Sequence, residues 1–269
     1  MSNWTPDDID WSAFAADRVD SDLLKIAKAA ALTESNGALY GLYLSRVFHD
    51  EPAFQEKTTL WAAEEVQHGE VLGRWASLAD PTFDYADALR RFRAGYTIET
   101  EVEGSVRGSK TSEMVARCIV EAGTSSFYTA LKDASREPVF SDICRRIAAD
   151  EFRHYKLFLD TLDILLAREG AGVVRRLMVA LGRIRETEDD ELSFAYHCAN
   201  YPDRPYVRET AYKDYAARAF GAYQKVHAQR AAAMVLKAAG LSSQGRLGQL
   251  AGSLLWVYMR GKLRTARAA

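Results

Sequence analysis

The feature that most limits what this chain of 269 residues can become is a pattern of acids and histidines that occurs twice. A lone glutamate, Glu34, is followed 31 residues later by Glu65-Val66-Gln67-His68, and a second, Glu121, is followed 30 residues later by Glu151-Phe152-Arg153-His154. Each residue of an α-helix turns ~100°, so a Glu and a His three positions apart lie ~60° apart on one face, about one turn from each other. A separation near thirty residues is about one helical-hairpin length. The doubled pattern therefore predicts two hairpins that bring four carboxylates and two imidazoles together.

The rest of the chain reads as helix. Only six prolines and 17 glycines interrupt it, and apolar residues recur at three- and four-residue spacing between them. Helices are expected at about 20–48, 52–79, 109–135, 138–169, 172–199, 207–239 and 242–266, with a shorter one near 84–94. Pro52 and Pro138 open helices, Asp80-Pro81 closes one, and Pro202, Asp203 and Pro205 mark another break. Residues 95–110, rich in Gly, Ser, Thr and Glu, form the long connection between the two hairpins. The expected fold class is all-α: a four-helix bundle with one crossover over about 20–170, with accessory helices over about 172–266. No Pro-, Gly- or Ser-rich linker divides the chain, so residues 1–269 read as a single domain.

Composition removes several functions. Lys+Arg 35 against Asp+Glu 37 gives a formal net charge of −2, which argues against a nucleic-acid partner. Cys118, Cys144 and Cys198 have no CxxC spacing and read as buried thiols of a reducing, cytoplasmic setting. Asp7, Asp8 and Asp10 argue against a signal peptide, and no apolar run approaches the ~20 residues of a membrane span.

The doubled pattern suits a pair of divalent metal ions. Four carboxylates neutralise two such ions, and two neutral imidazoles add nitrogen donors while leaving positions open for dioxygen. Glu34 and Glu121 are expected as terminal ligands, Glu65 and Glu151 as bridges, and His68 and His154 complete the two halves. Leu32, Tyr40, Ile119, Val120 and Phe127 set Glu34 and Glu121 in apolar surroundings, where an unpaired carboxylate is costly. The rival reading is a set of surface ion pairs. Ligating histidines usually donate their other ring N–H to a carboxylate, so Asp150 is expected to orient His68 and Glu64 to orient His154. Both acids could instead be solvated. His49, His197 and His227 lack ligand partners at useful spacing.

These segments resemble the soluble acyl-carrier-protein desaturases of the ferritin-like superfamily. Residues 61–72, Trp61-Ala62-Ala63-Glu64-Glu65-Val66-Gln67-His68-Gly69-Glu70-Val71-Leu72, are similar to that family's W-x-A-E-E-x-R-H-G-D-L-L. Residues 143–154 follow I-C-x-x-I-A-A-D-E-x-R-H without a gap, Leu32-Thr33-Glu34 is similar to I-T-E, and Glu121-Ala122-Gly123-Thr124 is similar to E-R-A-T. The resemblance covers roughly residues 30–160. Gln67 stands where the family has Arg, and Ala122-Gly123 replace Arg-Ala.

The resemblance implies a ferritin-like bundle with a di-iron centre (Fe2+/Fe3+), O2 as co-substrate and desaturation of an acyl chain held as a thioester on acyl carrier protein. Electrons would come from a ferredoxin-type donor, and the expected assembly is a homodimer. Thr124 is implied in dioxygen handling, although a helix threonine also bonds back to its own turn. Trp61 is expected to pack one turn before Glu65. The same bundle also hosts hydroxylases and N-oxygenases of small non-acyl substrates, ferroxidases and iron-binding proteins, so these stand as alternatives, together with a site kept for structure alone. Arg90, Arg91, Arg93, Arg145 and Arg146, and the basic stretch 260–267, are candidate docking residues for an acidic partner.

Overall fold

Prolines and side-chain caps decide where the central helices begin. The structure, a computed structural model, describes residues 4–186 and 190–267, which form eleven α-helices and no strand. In α1 (Ser21–Glu34) the Asp20 carboxylate accepts the backbone N–H groups of Asp22 and Leu23, donors that a helix start leaves without partners. Pro52 and Pro138 occupy the first turns of α3 (Pro52–Ala79) and α6 (Pro138–Glu169), where a missing N–H costs nothing. Ser109 caps α5 (Lys110–Ala134) and Asp84 caps α4 (Tyr85–Gly95). Glu137 caps α6 through Val139 and Phe140 and also accepts from Trp75 Nε1 (2.7 Å) and the Ala15 amide (3.1 Å).

Two expected helices are broken. The helix expected at 20–48 is α1 followed by α2 (Gly37–Val47), with Ser35 and Asn36 between them. Asn36 is fully buried and donates through Nδ2 to Glu191 Oε1 (2.9 Å), a tertiary hydrogen bond that no local pattern announces. The helix expected at 207–239 is α9 (Arg208–Ala222) and α10 (Lys225–Ala238), parted by extended Tyr223 and Gln224. There His227 Nδ1 accepts the Gln224 amide (3.0 Å) while Nε2 meets Asp133 Oδ2 (2.9 Å). The expected helix 172–199 corresponds to α7 (Val173–Glu186) and α8 (Asp190–Asn200), and its middle, 187–189, lies outside the described residues. The last helix is α11 (Gly245–Arg267).

The bundle consists of α1 with α2, α3, α5 and α6. Two apolar clusters fill its ends. One joins Leu23, Ile26, Val71, Leu72, Trp75, Leu131, Phe140 and Ile147; the other joins Leu44, Val47, Phe48, Phe54, Met114, Val115, Phe158 and Leu162. Each cluster draws on the start of one helix and the end of the next, so α1–α2 and α6 run one way, and α3 and α5 the other. With α3 and α5 parallel, α4 and the connection after it must travel back along the bundle, which is the expected crossover. Helices α8 and α9 lie against α1, and α10 lies against α5. Among the described residues no helix is long and apolar enough to cross a membrane.

Close approach of α1–α2 to α3 depends on missing side chains. A Cβ on Gly69 would stand 2.3 Å from Ser35 Oγ and 2.8 Å from the Ala31 carbonyl oxygen. Gly69→Ala is therefore expected to lower stability by about 1–3 kcal/mol through overpacking, measurable by urea unfolding. At the end of α3, Lys28 Nζ bonds Asp80 Oδ2 (2.6 Å), and that bond holds the Asp80 carboxyl down at about 2. Because the folded value is depressed, the stabilisation is present above the ordinary carboxylate range and is lost as pH falls towards 2. Asp80→Asn should cost about 1 kcal/mol near neutrality, with the gap to the wild-type chain closing as pH falls below 4.

Candidate metal centre

Between the two apolar clusters the bundle holds polar side chains. Glu34 ends α1, Glu65 and His68 lie mid-way along α3, Glu121 on α5, and Glu151 and His154 on α6. All six are buried. Glu34, Glu65, His68 and Glu151 each offer a donor atom within 4.8 Å of the others, as do Glu65, Glu121, Glu151 and His154. Glu65 and Glu151 are the residues common to both groups. The imidazole centroids are 5.9 Å apart.

The outer nitrogens of both rings are held by acids. His68 Nε2 lies 3.1 Å from Asp150 Oδ2, and His154 Nε2 lies 2.7 Å from Glu64 Oε2. A carboxylate only accepts, so each Nε2 carries the hydrogen, and in the neutral ring that metal ligation needs the Nδ1 lone pair turns inward. There His68 Nδ1 is 3.3 Å from Glu151 Oε1 and 3.8 Å from Glu34 Oε2; His154 Nδ1 is 2.9 Å from Glu65 Oε1 and 3.8 Å from Glu121 Oε2.

Four of these inner atoms, Glu65 Oε1, Glu151 Oε1, His68 Nδ1 and His154 Nδ1, are buried without a hydrogen-bond partner. Buried polar atoms are rarely left so. Oxygen and imidazole nitrogen are the donor types that divalent transition metals take, and their spread is close to the ~4 Å that separates two ligands of one ion. The residues present fit two metal positions sharing Glu65 and Glu151.

The electrostatics agree with that fit. Burial, with the charges of Glu151 and Glu34, pushes the Glu65 carboxyl far up, and burial with Glu151 and Glu65 does the same to Glu121. Burial opposes ionisation of Glu151 too, but the close approach of the His68 ring and the charges of His154 and His68 outweigh it and hold its carboxyl down. Burial lowers the His68 value, yet the hydrogen bond to Asp150 and the nearby carboxylates of Glu151 and Glu34 prevail and raise it. Metal ligation needs ionised carboxylates and neutral rings, so metal and protons compete for these atoms.

Several neighbours lie outside the sequence pattern. The Tyr128 hydroxyl, two turns beyond Glu121 on the same helix face, donates to Glu34 Oε1. Trp4 stacks over His68, with centroids 6.2 Å apart, and donates through Nε1 to Asp150 Oδ2 (2.9 Å). Arg153 reaches both orienting acids, donating to Asp150 Oδ1 and lying 3.4 Å from Glu64 Oε2. Tyr128 could have been found from its seven-residue offset; nothing local marks Trp4. Gln67 donates to the Trp4 carbonyl (3.3 Å).

The Thr124 hydroxyl lies 2.5 Å from Glu151 Oε2 and 3.3 Å from the Val120 and Glu121 carbonyls, so it touches both the site and its own turn. Trp61 meets the His154 ring edge-on at 6.4 Å and packs on Phe158. The other histidines stand apart: His49 bonds the Arg46 carbonyl, His227 holds the α9–α10 break, and His197 lies against Phe194 and Tyr206 with its value lowered by burial. All three cysteines are free and buried.

A helical bundle that buries four carboxylates and two imidazoles in facing groups is a metal-site protein of the helical carboxylate class. The chain belongs to the fatty acid desaturase family: the family model described as fatty acid desaturase matches residues 31–184, more than half of its length. No curated protein matches it. Membership in that family makes its chemistry that of an oxidoreductase.

Asp150→Asn, which removes the charge behind His68, is expected to weaken metal binding about 10- to 100-fold. Competition with a chelator, followed by metal analysis of the folded protein, measures this.

Proposed function

We propose that the chain is a ferritin-like di-iron oxidoreductase that desaturates an acyl chain carried as a thioester on acyl carrier protein, drawing electrons from a ferredoxin-type donor. The observation that carries this reading is the set of inward-facing donors lacking partners, Glu65 Oε1, Glu151 Oε1, His68 Nδ1 and His154 Nδ1, inside a chain of the fatty acid desaturase family. Glu34 and His68 would hold one iron and Glu121 and His154 the other, with Glu65 and Glu151 shared between them.

When bound, the two ferrous ions would supply reduction of O2 and removal of hydrogen from an unactivated C–H bond. The chain's own residues prepare the place. Four carboxylates balance two divalent charges in a site sealed at both ends by apolar clusters. Asp150 and Glu64 fix the ring tautomers, and Tyr128 fixes one oxygen of Glu34. Thr124 places a hydroxyl proton on Glu151 Oε2, where it can steady the charge of a shared ligand.

The test loads the purified chain with ferrous iron under anaerobic conditions, counts metal, and then follows O2 uptake and the mass of carrier-bound acyl groups with a ferredoxin and its reductase. Two irons per chain and a product lighter by two hydrogens are expected. Glu65→Ala should lose both irons together, whereas Thr124→Val should keep them and change O2 turnover. Retention of two irons by Glu65→Ala would overturn the shared-ligand assignment, and O2 uptake without loss of hydrogen from any acyl carrier would overturn the substrate.

A further inference from the structure

Helix α11 turns two unlike faces outward and inward. Its inner face is small or apolar: Gly248, Gly252, Met259 and Leu263 are buried, and a Cβ on Gly252 would stand 2.9 Å from the Gln229 Cα of α10. Its outer face carries Leu247, Leu250, Leu254, Val257 and Tyr258, which are 42% to 67% exposed. The three- and four-residue spacing lines them up as one stripe, roughly 16 Å long at 1.5 Å per residue. Scattered exposed leucines are ordinary; a continuous row of large apolar side chains marks a contact surface.

Charge decides which contact. Residues 239–269 contain five cations, Arg246, Arg260, Lys262, Arg264 and Arg267, and no Asp or Glu. On a helical projection Arg246, Arg260 and Arg264 border one edge of the stripe and Lys262 the other. Arg176 of α7 packs onto Gly240 just ahead of the helix and adds a sixth cation at that end. A second copy meeting this face would set cations against cations, with no acid on α11 to pair them. An apolar row bordered by long cationic side chains suits a layered surface, where the row sinks in and the cations reach sideways to anionic head groups.

We propose that α11 docks the protein, in the plane of the surface, on a membrane rich in anionic lipid. The contact is peripheral and is independent of the metal centre and of the reaction assigned to it.

The full chain is sedimented with vesicles of equal parts phosphatidylcholine and phosphatidylglycerol, and with vesicles of phosphatidylcholine alone. Binding to the anionic vesicles, at least about ten-fold stronger than to the neutral ones and weakened by added salt, is expected. Leu250→Ser/Leu254→Ser should lower binding more than about ten-fold, and Arg260→Gln/Arg264→Gln by about five-fold for each cation removed. The altered side chains face solvent, so both variants should keep wild-type thermal unfolding. Three results would overturn the proposal: no preference for anionic vesicles, binding to polyglutamate equal to binding to vesicles, or a wild-type dimer in light scattering that Leu250→Ser/Leu254→Ser dissociates.

Discussion

Four carboxylates gathered inside a helical bundle repel one another and have lost their water, and the surrounding structure follows from containing that cost. Each is held on a different helix, so no local rearrangement separates them without pulling the bundle apart. The ends of the bundle are apolar and tightly filled, with Trp75 stacked on Phe140 at one end and Phe48 tilted against Phe54 at the other. The middle is the layer where four buried carboxylates and two imidazoles face one another. Outward from it, acids and bases alternate: His68 leads to Asp150 and His154 to Glu64, and Arg153 reaches both acids. Such a network is stabilising only when every member has a partner. Four of the inner atoms lack one, which marks this layer as the candidate metal site.

The accessory helices matter to that layer through α1 and α2. Glu191 of α8 accepts from Asn36 Nδ2 and from the Tyr40 hydroxyl, and so fixes the break between α1 and α2 that directly follows Glu34. Gly37, the first residue of α2, lies where a Cβ would be 2.2 Å from Glu65 Cβ. The break thus presses backbone against the stem of Glu65, and a helix outside the bundle helps set where that carboxylate stands.

The central part of this arrangement was legible in the sequence. The expected spans 52–79 and 138–169 coincide with α3 and α6, because Pro52, Pro138 and Gly170 are local signals that owe nothing to packing. The six buried side chains announced themselves by their spacing, since a helix converts an offset of three into a shared face. What escaped depends on distant partners. Asn36 interrupts a helix because Glu191 lies 155 residues away, and His227 interrupts another because Asp133 waits on α5. Trp4 comes from a segment with no periodic pattern. One-dimensional spacing carries intrahelical geometry and is blind to such pairings.

Trp4 also has a consequence for how the molecule is made. The wall behind His68 is an indole whose hydrogen-bond partner lies 146 positions further along the chain. Closing so long a loop is entropically slow and gains nothing until both ends are in place. The stretch around Trp4 must therefore wait for α6 before it can settle, and the chamber behind His68 is walled in only when the last helix of the bundle is already in place.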